Sequence, residues 1–295
     1  MQHSAPLLRL ENPAGFVSID ESLLTGKAGV CDLFVVFSGQ SASFALQERS
    51  SKRFLAAETL LAGEEGGANG PSFLRKCLKE SKVFRLNAHR KSTVAVDNPH
   101  YTLLPSGMFR DGDEQSLLRF SVNRDDLIAS SVSVEGFDLR VVFGMPPEEE
   151  SLLHQLLPGC SLVPAVAAAL AHIRLSHANS KAPVMHLVAH PGLTSVLVVA
   201  GKKLQLANSF RVSGTEETVY HLLNVCEQLE LDRHALGLVL SGTGHVIDSL
   251  MERLPVYFRG IRMAETNAFR QLTTGLGSIP SGTLLPVLTV SLCES

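Results

Sequence analysis

Three glycine turns carry the residues of this sequence that could do chemistry. The stretch His190-Pro191-Gly192-Leu193-Thr194 closes one apolar run and opens the next, and a turn of this kind can offer backbone N–H groups to a phosphate. Ser241-Gly242-Thr243-Gly244 separates the apolar run "ALGLVL" from a helical pattern. Small residues there permit close approach of a ring or ribose, and a helix N-terminus favours an anion. Phe37-Ser38-Gly39-Gln40-Ser41 joins two apolar runs and brings hydroxyl and amide donors. Phosphate chemistry also wants a carboxylate that orders a hydrated metal, because hard cations require oxygen ligands. His190 stands where that carboxylate is wanted; a neutral imidazole cannot replace it, and a protonated one would repel the metal.

Each turn has a plainer reading beside the chemical one. Gly39 can belong to an ordinary hairpin, His190 can be a surface histidine at a strand end, and Gly242 and Gly244 can serve backbone geometry alone. Other chemistries have less to stand on. "TGKAG" lacks the upstream glycine of a Walker loop and ends in Ala28, and there is no Gly-x-Ser-x-Gly elbow. His172 and His177 sit five apart, off the spacing for a shared helix face, and read as a helix-surface and a helix-end residue. Asp111, Asp113 and Glu114 read as a solvated loop, and Glu148, Glu149 and Glu150 as a helix start. A metal-dependent nuclease would need three or four converging carboxylates, for which only Asp20 and Asp32 stand near the first strand.

The elements that must hold these turns follow from periodicity and breakers. "DLFVVFSGQSASFALQE" predicts two strands and "KRFLAAETL" a third. A surface loop over 63–72 precedes a helix from Pro71 to about Glu80. "KVFRLNAH", "KSTVAV", "LLRFSV" and "DLRVVFGMP" read as strands, and "PEEESLLHQLLP" and "VPAVAAALAHIRLSHAN" as helices. A polar, Pro-terminated stretch at 179–183 marks a boundary. A second cycle then begins: strands over Met185–Ala189, Ser195–Ala200 and Leu204–Phe210, a helix capped by Thr215, the strand "ALGLVLSG", the helix "HVIDSLMERL" and the strand "VYFRGIRMA". Both halves thus show a three-strand meander followed by alternating helices and strands, an α/β pattern with mixed sheets.

Composition supports a large apolar core. The chain has 295 residues, 45% of them hydrophobic, and 26 basic against 29 acidic residues, a balance that leaves no electrostatic footprint for nucleic acid. Five scattered cysteines (Cys31, Cys77, Cys160, Cys226, Cys293) suggest neither a zinc site nor a disulfide framework, which fits a reducing cytoplasm. No signal peptide or membrane-spanning run is expected.

The segments "YTLLPSGMF", "ANSFRVSGTEETVYHLLNVCEQLELD", "LVLSGTGHVIDSLMERL" and "LPVLTVSLCE" resemble a bacterial family of unknown function with an actin-like ATPase fold. That superfamily includes actin, sugar kinases, heat-shock chaperone ATPases and pilus-assembly and division proteins. The likeness covers roughly residues 30–295. It implies an actin-like (ribonuclease H-like) fold: a first lobe over 1–181, onto which 264–295 packs back, and a second over 182–263, each a mixed sheet flanked by helices. It also implies that Phe37 and His190 occupy the positions of the two metal-binding aspartates of the phosphate loops, and Ser241–Gly244 that of the adenosine loop. The candidate nucleotide residues are therefore Gly39, Gln40, Ser41, Gly192, Leu193, Thr194, Ser241, Gly242, Thr243 and Gly244, with ATP or ADP as the ligand, no metal and no catalytic residue. The expectation is a degenerate ATPase acting as a binding or scaffold protein, with a protein partner or self-association. The alternative is an active, atypical ATPase or kinase drawing its acid from Asp20, Asp32 or Asp248.

Overall fold

In the computed structural model, which describes residues 15–62, 70–86, 88–134, 136–177, 182–269 and 272–293, the chain forms two large sheets of the same plan. The first half runs β1 (Phe16–Ile19), α1 (Glu21–Leu24), β2 (Cys31–Ser38), β3 (Ser41–Glu48), β4 (Phe54–Leu61), α2 (Pro71–Glu80), α3 (Lys82–Arg85), β5 (His89–Asp97), β6 (Tyr101–Pro105), α4 (Glu114–Val122), β7 (Ile128–Val134), β8 (Leu139–Met145), α5 (Pro147–Leu156), β9 (Ser161–Pro164) and α6 (Ala165–His177). The second half runs β10 (Pro183–His190), β11 (Leu193–Ala200), β12 (Lys203–Arg211), α7 (Thr215–Gln228), β13 (Gly237–Gly242), α8 (Gly244–Arg253), β14 (Gly260–Met263), α9 (Thr274–Gly277) and α10 (Ser281–Thr289).

The first sheet has the order β1-β4-β3-β2-β5-β9 and the second β12-β11-β10-β13-β14. In each, a meander of antiparallel strands is followed by two strands added in parallel on its first member: β5 then β9 beside β2, β13 then β14 beside β10. The repeat of architecture read from the sequence is therefore a repeat of strand order. A third sheet, β6-β8-β7, is inserted between β5 and β9.

Burial on both faces makes β2 a continuous apolar run, and its period of two sends alternate side chains to different cores. Leu33, Val35 and Phe37 join the cluster under α2 and α5. Phe34 and Val36 join another, shared with Val184 of β10, Val239 of β13 and the apolar face of α10. A third core lies under α7 and α8, and a fourth packs α6 against β8 and β11. Among the described residues no helix is long and apolar enough to cross a membrane.

Several local expectations are corrected. "KVFR" is α3, not a strand: Ser81 Oγ accepts from the Phe84 amide at 3.0 Å, and the buried Glu58 carboxylate accepts from Ser81 Oγ at 2.7 Å and the Val83 amide at 3.0 Å. "LLRFSV" lies in α4, which closes at Asn123 in the left-handed region (φ 54°); only Leu118 of this helix is buried. The serine-rich β7, the short β9 and β1 carry too little apolar pattern to stand out. Thr215 is the first residue of α7 and Gly214 its cap. His172 is buried rather than on the helix surface, stacked on Phe269 with its Nε2 2.9 Å from Ser176 Oγ. The loop expected over 63–72 falls at 63–69 outside the described residues, as does much of the 179–183 boundary, at 179–181.

Candidate functional site

The parity of the two central strands decides what faces the seam between the sheets. Because Phe37 sits on the outer face of β2, its ring enters the core and stacks on Phe73 of α2, 6.1 Å between centroids. Asp97, the last residue of β5, pairs with Ser38 in the parallel register and falls on the opposite, inner face, the side of Ala95. On β10, Met185, Leu187 and Ala189 face the outer core, so His190 faces inward. The two inner-facing ends meet: Asp97 Oδ2 lies 3.6 Å from His190 Nε2, and neither atom has a hydrogen-bond partner. His190 Nδ1 lies 2.9 Å from Thr243 Oγ1. His190 is thus a buried histidine rather than a surface one, 3% exposed.

Desolvation dominates this pair. Burial pushes the Asp97 carboxyl up to about 7 and the His190 imidazole down to about 4, so each is driven toward its neutral form. Asp97 is the residue that reading the sequence missed. Its signal was the acid that ends the run "STVAVD", but which face that acid would occupy was not legible.

A cavity of about 330 Å³ opens beside Asp97, between the two hairpin tips. Gly39, Gln40, Gly192 and Leu193 of the candidate residues line it. The tips touch: a β-carbon on Gly192 would lie 2.8 Å from Gln40 Nε2, which the Gln40 side chain can relieve by moving, whereas the φ of +77° favours glycine. Ser41 is buried, and its hydroxyl lies 2.7 Å from that of Ser38. Thr194 is buried under α7, its hydroxyl 3.3 Å from that of Thr218.

The third turn stands apart from this cavity. Gly242 has φ +135°, and a β-carbon on it would lie 1.9 Å from the Ala189 carbonyl oxygen. The Thr243 amide donates to that same carbonyl at 2.8 Å, and Ser241 and Thr243 are buried. Gly244 faces Thr283 of α10, with 3.8 Å left for a β-carbon. Gly242 thus fits strand β13 against β10.

The cavity rim is cationic. His100 is held by the loop after β5: its amide donates to Asn98 Oδ1 at 2.8 Å, and Asn98 Nδ2 donates to the Gly144 carbonyl at 3.0 Å. Arg124 Nη1 and Arg211 Nη2 both donate toward His100 Nε2, at 3.2 and 3.4 Å. Burial and the two guanidinium groups push His100 down to about 4, so it accepts as a neutral ring. Arg124 also pairs with Asp126, whereas Arg211, on the last position of β12, extends from the second sheet opposite Leu193. Glu149 completes the lining, with its carboxyl raised by burial.

The acids named for the alternative reading lie elsewhere. Asp20 caps α1 through the Ser22 amide at 3.0 Å, Asp32 is bound by Arg49 at 2.7 Å at the far end of β2, and Asp248 is exposed on α8. Among the described residues, no group of three or more His, Cys, Asp or Glu side chains could hold a metal ion. The cysteine thiols Cys31, Cys77, Cys160, Cys226 and Cys293 are all free, with burial raising each.

The fold has known counterparts. A Bacteroides thetaiotaomicron VPI-5482 protein with an actin-like ATPase fold and unknown function is 17% identical, covers 91% of this chain and 98% of its own, and superposes with a TM-score of 0.73. A structure of the PilM-PilN type IV pilus biogenesis complex gives 12% identity, coverage of 90% and 99%, and a TM-score of 0.64. The ethanolamine utilization protein EutJ from Carboxydothermus hydrogenoformans gives 9%, 93% and 96%, and 0.51. The chain therefore has an actin-like ATPase fold. A family model described as "Protein of unknown function (DUF3822)" matches residues 20–261. No curated protein matches the sequence significantly.

Proposed function

The chain belongs to the family described as Protein of unknown function (DUF3822), and from that premise we propose that it is a binding or scaffold protein on an actin-like body that has lost metal-dependent hydrolysis. One observation carries the reading: the ends of β2 and β10 hold Phe37, committed to the core with Phe73, and His190, committed to Asp97 and Thr243. Neither of these two side chains offers an oxygen ligand to a hydrated metal. Nucleotide binding is at most weak, through Gly39, Gln40, Gly192 and Leu193, because Gly242 and Thr243 of the third turn are packed against Ala189 of β10. We take the lobes as 1–181, onto which 264–295 packs back, and 182–263. The partner is a protein or a second copy of the chain; the pilus complex shows one protein of this fold engaged with another, which is analogy by fold alone.

Asp97 favours a second reading. A buried acid with its pKa near neutrality, at the end of the strand beside the first hairpin, could serve an atypical ATPase as a general base. Thermal unfolding with ATP or ADP, with Mg²⁺ or with EDTA, separates the two when paired with an assay of phosphate release. The expected result is no release above the protein-free control and no shift that depends on Mg²⁺. A Mg²⁺-dependent shift with turnover abolished in Asp97→Asn would establish the second reading instead.

A further inference from the structure

The charges of this chain are unevenly spread. Of its 26 basic and 29 acidic residues, seven basic residues and one acid, Glu80, fall within residues 75–91. That short stretch is strongly cationic in a chain whose net charge is -3. The fold turns these charges to one side. Phe73, Leu74, Cys77 and Leu78 bury one face of α2, so Arg75, Lys76 and Lys79 stand together on the opposite face. Ser81 leads directly into α3, where Val83 is buried and Lys82 and Arg85 are exposed. His89 packs its ring against Phe84, 5.7 Å between centroids, which brings the exposed Arg90 to the border of α3. Arg75, Lys76, Lys79, Arg85 and Arg90 make no ion pair among the described residues. Two exposed aliphatic side chains flank the patch. Val30, 45% exposed, precedes Cys31, the register partner of His89. Leu24, 62% exposed, ends α1 beside β1, which α3 contacts.

We infer that this outer face of the first lobe, formed by α2, α3 and the start of β5, docks on an anionic phospholipid surface. The inference goes beyond the binding function proposed above and holds whether or not hydrolysis has been lost. Attraction to acidic headgroups adds over the cations that reach the surface together. Here they project from outward helix faces, which a planar layer of headgroups meets all at once. The acidic remainder of the chain turns the molecule so that this face leads. Leu24 and Val30 then enter the interfacial region, where aliphatic side chains gain by leaving water. Nucleic acid fits less well: Phe73 is buried and Phe84 is engaged with His89, so these helices offer no ring to stacking bases. An acidic peptide would be better served by a groove. Because α2 packs on the Phe37 side of the first sheet, away from the seam, docking leaves the second lobe free for a protein partner.

Co-sedimentation of the full chain with vesicles of equal parts phosphatidylglycerol and phosphatidylcholine, at about 50 mM salt, tests this. Binding to these vesicles is expected to fall about tenfold or more at about 0.5 M salt, and to be absent with phosphatidylcholine alone. Arg75→Gln, Lys76→Gln and Lys79→Gln combined are expected to weaken it about a hundredfold. Lys202→Gln, Lys203→Gln and Arg259→Gln combined remove as much charge from exposed positions of the second lobe, and should change it less than about threefold. Should the first triple variant not fold, Arg85→Gln alone is expected to weaken binding about fivefold. No binding to the anionic vesicles at low salt overturns the inference, as do equal binding to phosphatidylcholine alone or equal losses in the two triple variants. Tighter binding to duplex DNA or to poly-glutamate at matched salt assigns the patch to nucleic acid or to an acidic protein, and overturns it too.

Discussion

Asp97 and His190 hold one proton between them, and this sets how the seam responds to pH. In the fold the carboxyl titrates near 7 and the imidazole near 4. In the unfolded chain the values return to about 3.9 and 6.5. Between roughly pH 4 and 6.5 the folded pair is a carboxylic acid beside a neutral imidazole, and the unfolded pair a carboxylate and an imidazolium. Each state binds one proton, so the pair contributes no slope to stability there. Asp97→Asn leaves only His190, which binds a proton unfolded but not folded. Stability of that variant should rise with pH up to about 6.5, by at most about 1.4 kcal/mol per unit. His190→Gln leaves only Asp97, protonated in the fold and ionised outside it, so its stability should fall from about pH 4 to about 7. Urea unfolding of both variants and of the unmodified chain across this range checks the pair. Each slope is taken relative to the unmodified chain, because the lowered His89 and His100 add a rise with pH to all three. Relative slopes of the same sign would refute the opposed burial shifts.

At the level of elements, the glycines of the three turns differ in what they do. Gly242 lets β13 lie against β10 where a side chain would strike the Ala189 carbonyl, while nothing lies within 4 Å of a β-carbon on Gly39. Gly242→Ala should therefore destabilise by about 3 kcal/mol or more, and Gly39→Ala by less than about 1 kcal/mol. Chemical denaturation measures both, and similar costs at the two positions would contradict the assignment of Gly242 to strand packing. The same level explains the strands that turned out to be helices. In α3 a carboxylate from β4, Glu58, supplies the cap contacts that a run of four residues cannot supply itself. In α4 the apolar residues suggested a strand, yet Phe120 is 91% exposed and only Leu118 enters a core.

For the molecule as a whole, α10 is the element on which both sheets depend. Its buried Leu284, Leu285, Val287 and Leu288 share one cluster with Phe34 and Val36 of β2, Val184 of β10 and Val239 of β13. Tyr101 of the inserted sheet adds a second tie, its hydroxyl 3.0 Å from Ser209 of β12. Leu288 is fully buried there, so Leu288→Ala should cost about 2–5 kcal/mol. Because the cluster is shared, the loss should lower one cooperative transition rather than release one lobe. Two resolved transitions in calorimetry of the variant would show that the lobes are held separately.

What the sequence determined by itself was local and periodic. Alternation and apolar runs located the two meanders, and the glycines located the turns. Tertiary structure alone decided which turns share a space. Strand parity fixed Asp97 and His190 on facing sides of the seam, although they are far apart along the chain and each looks unremarkable in its own segment. Close approach of β13 to β10 took the Ser241–Gly244 turn out of the cavity, and His100, Arg124 and Arg211 met there from separate elements. The physical reason is the same in each case: periodicity reports which residues along one element share a face, whereas burial of a carboxylate beside an imidazole, or convergence of two arginines on one acceptor, depends on how separate elements pack.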